Sequence, residues 1–133
     1  MGDSIIPSKQ RLRGIERLEI EPRDFDETVR FWRRLGFQVT IKGEVGRREA
    51  ALRAGELRLL FREPRDEGGQ DRRRSPFRRL RIAFGVRDLE ALVAELREKG
   101  VEVPAPGRVQ GLARAVEIVD PNGIRLLLEE GAV

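Results

Sequence analysis

At 133 residues the chain is long enough for one ordinary domain, or for two small modules sharing a core, without a disulfide or metal staple. It contains no cysteine, histidine or tyrosine, which excludes disulfide frameworks, zinc ribbons, iron–sulfur clusters, thiol chemistry and imidazole as ligand or base. Twenty-four arginines and three lysines against 23 acidic residues leave a net charge of +4, which favours anionic partners weakly and does not demand nucleic acid.

Nothing in the sequence approaches the run of about 18 apolar residues that spans a membrane. Residues 1–10 lack the apolar stretch of a secretory signal and read as a flexible N-terminus. The expected compartment is the cytoplasm, with no membrane partner.

The first strand is expected around Leu18, Glu19, Ile20 and Glu21, where apolar and polar residues alternate, with Ile15 upstream and Pro22 ending it. Asp24 is placed to cap a helix whose apolar stripe is Phe25, Val29, Trp32 and Leu35, and Gly36 stops it. Strands are expected at 37–41, 48–53 and 57–62, with turns at Gly43, Gly46 and Gly55. Residues 63–76 are rich in charge, proline and glycine and read as a linker loop between modules at 11–62 and 77–130.

The second module repeats the order. A strand at 80–86 is followed by a helix capped by Asp88 and stopped by Gly100, with Leu89, Leu92, Val93 and Leu96 on one face. Strands are then expected at 101–103, 113–119 and 124–128, with a turn at Asp120, Pro121, Asn122 and Gly123 before the last. The two caps are 64 residues apart, and so are the two stops and the pairs Phe37/Val101 and Val39/Val103. A constant offset linking caps, stops and strand positions is the sign of an internal duplication.

These residues resemble the paired βαβββ modules of the vicinal-oxygen-chelate superfamily, which includes glyoxalase I, bleomycin-resistance proteins, fosfomycin-resistance enzymes and extradiol dioxygenases. The resemblance rests on the segments 24–37 (DFDETVRFWRRLGF), 84–101 (FGVRDLEALVAELREKGV) and 120–128 (DPNGIRLLL), and covers roughly residues 13–129. It implies an α+β fold in which two βαβββ modules form a cupped sheet around a cleft with the helices outside. It also implies a homodimer.

In metal-using relatives the ligands come from the first and last strands of each module. The matching first-strand positions here are Arg17 and Arg81, and the last-strand positions are Leu60 and Leu127. Leucine has no donor atom and arginine stays protonated, so none of the four suits a divalent cation. Glyoxalase-type isomerisation and extradiol cleavage need such a cation to polarise substrate oxygens. The chain is therefore expected to use no metal or other cofactor and to have no catalytic residues.

Strand alternation turns Arg17 and Glu19 away from the helix, and Arg81 likewise. Two guanidiniums in one cleft would bind a carboxylate or phosphate; the alternative, given more weight, is that each pairs with a nearby acid such as Glu19 or Glu117. Glu49 and Glu117 could serve acid–base work, but cross-strand pairing with arginine is the simpler role. Trp32, Phe31, Phe61 and Phe84 read as core before ligand platform. Ser75 has no base beside it, and the arginines at 72–74, 78 and 79 read as a solvated loop, so no nucleic-acid partner is expected.

The functional expectation is a metal-independent small-molecule binder. Its ligand, anionic if the arginines are free to take one, would lie among Arg17, Glu19, Leu60, Arg81, Glu117 and Leu127. The alternatives are a superfamily lyase, isomerase or dioxygenase using carboxylates alone, and a non-catalytic interaction module.

Overall fold

The computed structural model describes residues 11–12, 14–64, 80–109 and 113–130. The N-terminal stretch, most of the expected linker, Ser75 and the arginine cluster lie outside the described residues. The first module runs β1 (Leu18–Ile20), α1 (Phe25–Arg34), β2 (Gln38–Lys42), β3 (Glu49–Ala54) and β4 (Leu57–Arg62). The second runs β5 (Arg81–Val86), α2 (Leu89–Glu98), β6 (Gly107–Val109), β7 (Ala113–Val119) and β8 (Arg125–Glu130). The strand orders are β1-β4-β3-β2 and β5-β8-β7-β6, each with one parallel pair, β1 with β4 and β5 with β8. The α+β class and the duplicated βαβββ order are those expected.

Local chemistry sets the helix ends. The Asp24 carboxylate accepts from the Glu27 amide at 3.0 Å, and that of Asp88 from the Ala91 amide at 3.1 Å, each satisfying an otherwise orphaned donor. Gly36 and Gly100 follow the helices with φ of 106° and 84°, a region that a side chain disfavours.

Beyond the helices the copies diverge. Residues 101–103 do not form the expected strand, and the ladder starts at β6 instead. Val101 and Val103 are buried in the core, and the Val103 carbonyl accepts from Arg97 Nε and a terminal nitrogen at 3.2 and 2.9 Å. Pro104 and Pro106 have no N–H, so a ladder can form only after them. At the N-terminal end, β1 is shorter than the apolar pattern implied: Ile15 is exposed and outside the strand.

One hydrophobic core runs through both modules on the helix side. It joins Ile20, Leu59 and Phe61 of the first sheet to Ile118, Leu126 and Leu128 of the second. Trp32 lies fully buried at its centre, edge-on to Phe37, Phe61 and Phe84 at centroid distances of 5.5, 5.7 and 6.1 Å. The core reading of Trp32 and Phe61 therefore holds. Each edge-to-face pair adds about 0.5–1.5 kcal/mol beyond area burial.

A buried polar knot also spans the modules. Asp120 Oδ2 accepts from Trp32 Nε1 and Asn122 Nδ2, both at 3.0 Å, and its Oδ1 accepts from the Asn122 and Ile124 amides at 2.9 Å. Asn122 Nδ2 donates to Thr28 Oγ1 at 3.1 Å, and Asn122 Oδ1 accepts from the Arg23 amide at 2.8 Å. The turn motif thus fastens the second module to the start of α1, a role its local pattern did not reveal.

Candidate functional site

Each sheet has one face against the core and one turned away from its helix. In the first sheet Leu59, Phe61, Ala50 and Leu52 are buried on the core side. Alternation therefore puts Arg58, Leu60 and Arg62 of β4 and Glu49, Ala51 and Arg53 of β3 on the other face, with Glu19 of β1 and Gln38, Thr40 and Lys42 of β2. The strand register arranges them in rows. Glu19, Leu60, Ala51 and Thr40 form one, and Arg62, Glu49 and Lys42 form the next.

An ion-pair chain crosses this face. Arg17 Nε donates to Glu19 Oε2 at 2.7 Å, Arg62 donates to the other Glu19 oxygen, and Arg62 Nε donates to Glu49 Oε2 at 2.9 Å. Hydrogen bonds from Arg17 and Arg62 hold the Glu19 carboxyl below the usual carboxylate range. The same bonding, from Glu49 first and Glu19 second, raises the pKa of Arg62.

The second sheet carries the corresponding positions. Arg81 of β5 pairs with Arg125 of β8, Ala83 with Leu127, and Leu127 with Glu117 of β7. Arg81 Nε donates to Glu117 Oε1 at 3.2 Å, and Arg125 Nε stands 4.0 Å from the same oxygen. Glu117 also borders a groove of about 600 Å³ between α1 and the second module, where Phe31, Arg34, Val103 and Val119 contribute to the walls.

The structure therefore brings Arg17, Glu19 and Leu60 together on one sheet and Arg81, Glu117 and Leu127 on the other. No hydrogen bond or ion pair among the described residues links the two sets. Glu49 takes a cross-strand arginine partner, Arg62, and Glu117 an arginine partner, Arg81. Leu60 and Leu127 hold equivalent register positions, yet Leu127 is only 7% exposed while Leu60 is half-buried.

Arg53, Arg58, Arg62 and Arg125 were not singled out from sequence. For the first three the signal is the alternation of β3 and β4 about their turn, which places Arg53 directly opposite Arg58, and for Arg125 it is the alternation of β8.

Residues 14–128 match the family model described as glyoxalase/bleomycin resistance protein/dioxygenase superfamily. The chain belongs to that superfamily. Searching the curated proteins finds no significant match.

Solved structures share the fold at low identity. A bleomycin resistance determinant encoded on the transposon Tn5 aligns at 23% identity and a TM-score of 0.66, over 90% of this chain and 99% of that one. A glyoxalase family protein from Enterococcus faecalis aligns at 21% and 0.68, over 90% and 98%. The antibiotic-binding protein TnmS3 from a Streptomyces species aligns at 18% and 0.68, over 92% and 98%.

The chain's corner positions, Arg17, Arg81, Leu60 and Leu127, carry guanidinium groups and hydrocarbon, and the carboxylates of Glu19 and Glu117 are engaged by arginine. Among the described residues no cluster of three or more acidic side chains could hold a metal ion. The donor set does not fit a divalent cation.

Proposed function

We propose that this superfamily member is a metal-independent binder of small molecules. Its ligand would lie against the sheet faces that carry Arg17, Glu19, Leu60, Arg81, Glu117 and Leu127. The observation that supports this most directly is the pairing at the corners: in both modules the position of a first-strand ligand holds an arginine already bonded to a glutamate. Leucine follows at the last-strand position. Apolar floor with a few fixed charged groups is the ordinary make-up of a small-molecule site. The antibiotic-binding and bleomycin-resistance neighbours are consistent with binding as the function on this scaffold.

On this reading the active form is a cytoplasmic homodimer, to be checked by light scattering and cell fractionation. The described residues contain no helix long and apolar enough to cross a membrane.

The function is tested by two measurements on the full chain. Melting curves with millimolar Mn²⁺, Ni²⁺ or Zn²⁺ should superimpose on the cation-free curve. An aromatic fragment library followed by amide chemical shifts should give perturbations clustered at 17–19, 58–62, 81–83 and 125–127. Saturable binding of one of these cations, with metal-dependent turnover of a substrate, would falsify the proposal.

A further inference from the structure

The open face of the first sheet ends in a row of like charges. Arg53 and Arg58 are direct cross-strand partners, each one residue inside its strand end at the turn formed by Gly55 and Glu56. Continuing the β1–β4 register by one residue sets Arg17 beside Arg58, and Gln38 is the partner of Arg53 on the far side. Across the sheet the row therefore reads Arg17, Arg58, Arg53, Gln38. Like charges directly opposite in a sheet are destabilising.

The other arginines on this face are neutralised: Arg62 has Glu19 and Glu49, and Arg17 has Glu19. On the other side of the first module Arg48 has Asp26 and Glu63. Arg53 and Arg58 make no ion pair or side-chain hydrogen bond with any described residue, and Glu56 in the adjoining turn reaches neither. Both are exposed. Leu60 and Ala51 lie in the next row, offering a small apolar surface beside the charges, with the Thr40 hydroxyl at its edge.

Resting on the small-molecule reading above, we infer that Arg53 and Arg58 are an anchor for an oxyanion group, carboxylate or phosphate, of a ligand whose apolar body lies over Leu60 and Ala51. Guanidinium groups suit that role because their planar forks match both anions with paired N–H donors. Gln38 adds an amide donor at the end of the row. The anion removes the repulsion between the two arginines, so the ligand's charge is matched to a defect in this sheet. Cationic ligands meet the opposite field.

The test uses benzoate and phenyl phosphate as anionic probes and benzamidine as the cation of similar shape. Calorimetry and amide shifts on the full chain should show both anions binding with perturbations at 51–53 and 58–60, and benzamidine giving none there. Joint replacement of Arg53→Ala and Arg58→Ala should lower affinity for both anions by at least about tenfold. Arg53→Lys with Arg58→Lys keeps the charge and loses the fork, so an intermediate loss is expected. Arg30→Ala, on the helix side, removes one charge and should leave affinity unchanged.

Equal binding by wild type and the double alanine variant overturns the anchor while leaving small-molecule binding at the corner residues standing. Tighter binding of benzamidine than benzoate on the same face overturns the anionic class alone. Absence of binding by both anions overturns the anchor outright. A single-stranded oligonucleotide that displaces phenyl phosphate with a steep salt dependence also overturns it, in favour of nucleic acid. The small-molecule reading itself fails separately, through the cation titration and fragment screen.

Discussion

Trp32 and Asp120, from different modules, are joined by a 3.0 Å hydrogen bond from indole Nε1 to carboxylate Oδ2, and both residues are buried. The bond links a helix face to a turn and makes two duplicated halves one structure. Because the chain has a single tryptophan, its fluorescence reports directly on this junction.

Removing the acceptor should cost more than removing the donor. Asp120→Ala leaves Trp32 Nε1 and the Asn122 and Ile124 amides without their buried acceptor, at an expected cost of about 3–5 kcal/mol. Trp32→Phe removes one donor and some packing, while Asp120 keeps its other three bonds, so about 1–3 kcal/mol is expected. Urea unfolding followed by circular dichroism ranks the two variants; equal costs would mean the carboxylate is no hub.

Acid should loosen the first module through Glu63. Its carboxylate accepts from the Arg48 side chain and from the Arg48 and Gly46 amides, and these bonds pull its pKa down from 4.5 to about 2. A carboxyl depressed in the folded state contributes stability above its unfolded value and loses it as pH falls through the folded one. The melting-temperature gap between wild type and Glu63→Gln should therefore be largest at neutral pH, narrow below 4.5 and close near 2. A gap independent of pH would refute this.

Glu19 sets how much positive charge the first sheet presents. It neutralises both Arg17 and Arg62, so Glu19→Gln should tighten phenyl phosphate binding by about three- to tenfold, the scale of one added charge interaction. The lowered pKa of Glu19 keeps it ionised from pH 7 to 5, so wild-type affinity for benzoate should change little over that range. Weaker binding by the variant would show that Glu19 orients the arginines more than it screens them.

Equivalent leucines should respond differently to charge. Leu127→Glu places a carboxylate where the side chain is 7% exposed, at an expected cost of about 2–4 kcal/mol. Leu60 is half-buried, with Arg62 on the same face and Glu19 directly opposite, so Leu60→Glu escapes most of the burial cost but meets a like charge, and about 1–2 kcal/mol is expected. Chemical denaturation of both variants checks the asymmetry.

Relieving the Arg53–Arg58 repulsion should stabilise the ligand-free chain. Arg58→Thr suits a strand and should raise the melting temperature by about 1–3 °C. A drop would mean that Arg58 makes a compensating contact of its own.

The element order and the helix caps and stops were legible in the chain itself. Caps, glycine stops and strand alternation are local chemistry: Asp24 and Gly36 act within a few residues of themselves. Arg17 and Arg81 are 64 residues apart and Leu60 and Leu127 are 67 apart, and the register gives the leucines equivalent places, Leu60 opposite Glu19 and Leu127 opposite Ala83.

Relationships that depend on which strands become neighbours had to come from the folded molecule. Arg62 is 43 residues from Glu19, and only the parallel β1–β4 pairing brings them together. Asp120 read as a turn residue because the indole it binds belongs to a distant helix. The strand expected at 101–103 gave way because core burial and Arg97 claimed it and two prolines withheld donors. Sequence alone thus decided the parts and their chemistry, since those forces act along the chain; tertiary structure decided the partners of each charge, since Coulomb and hydrogen-bond energies depend on distances that only packing sets.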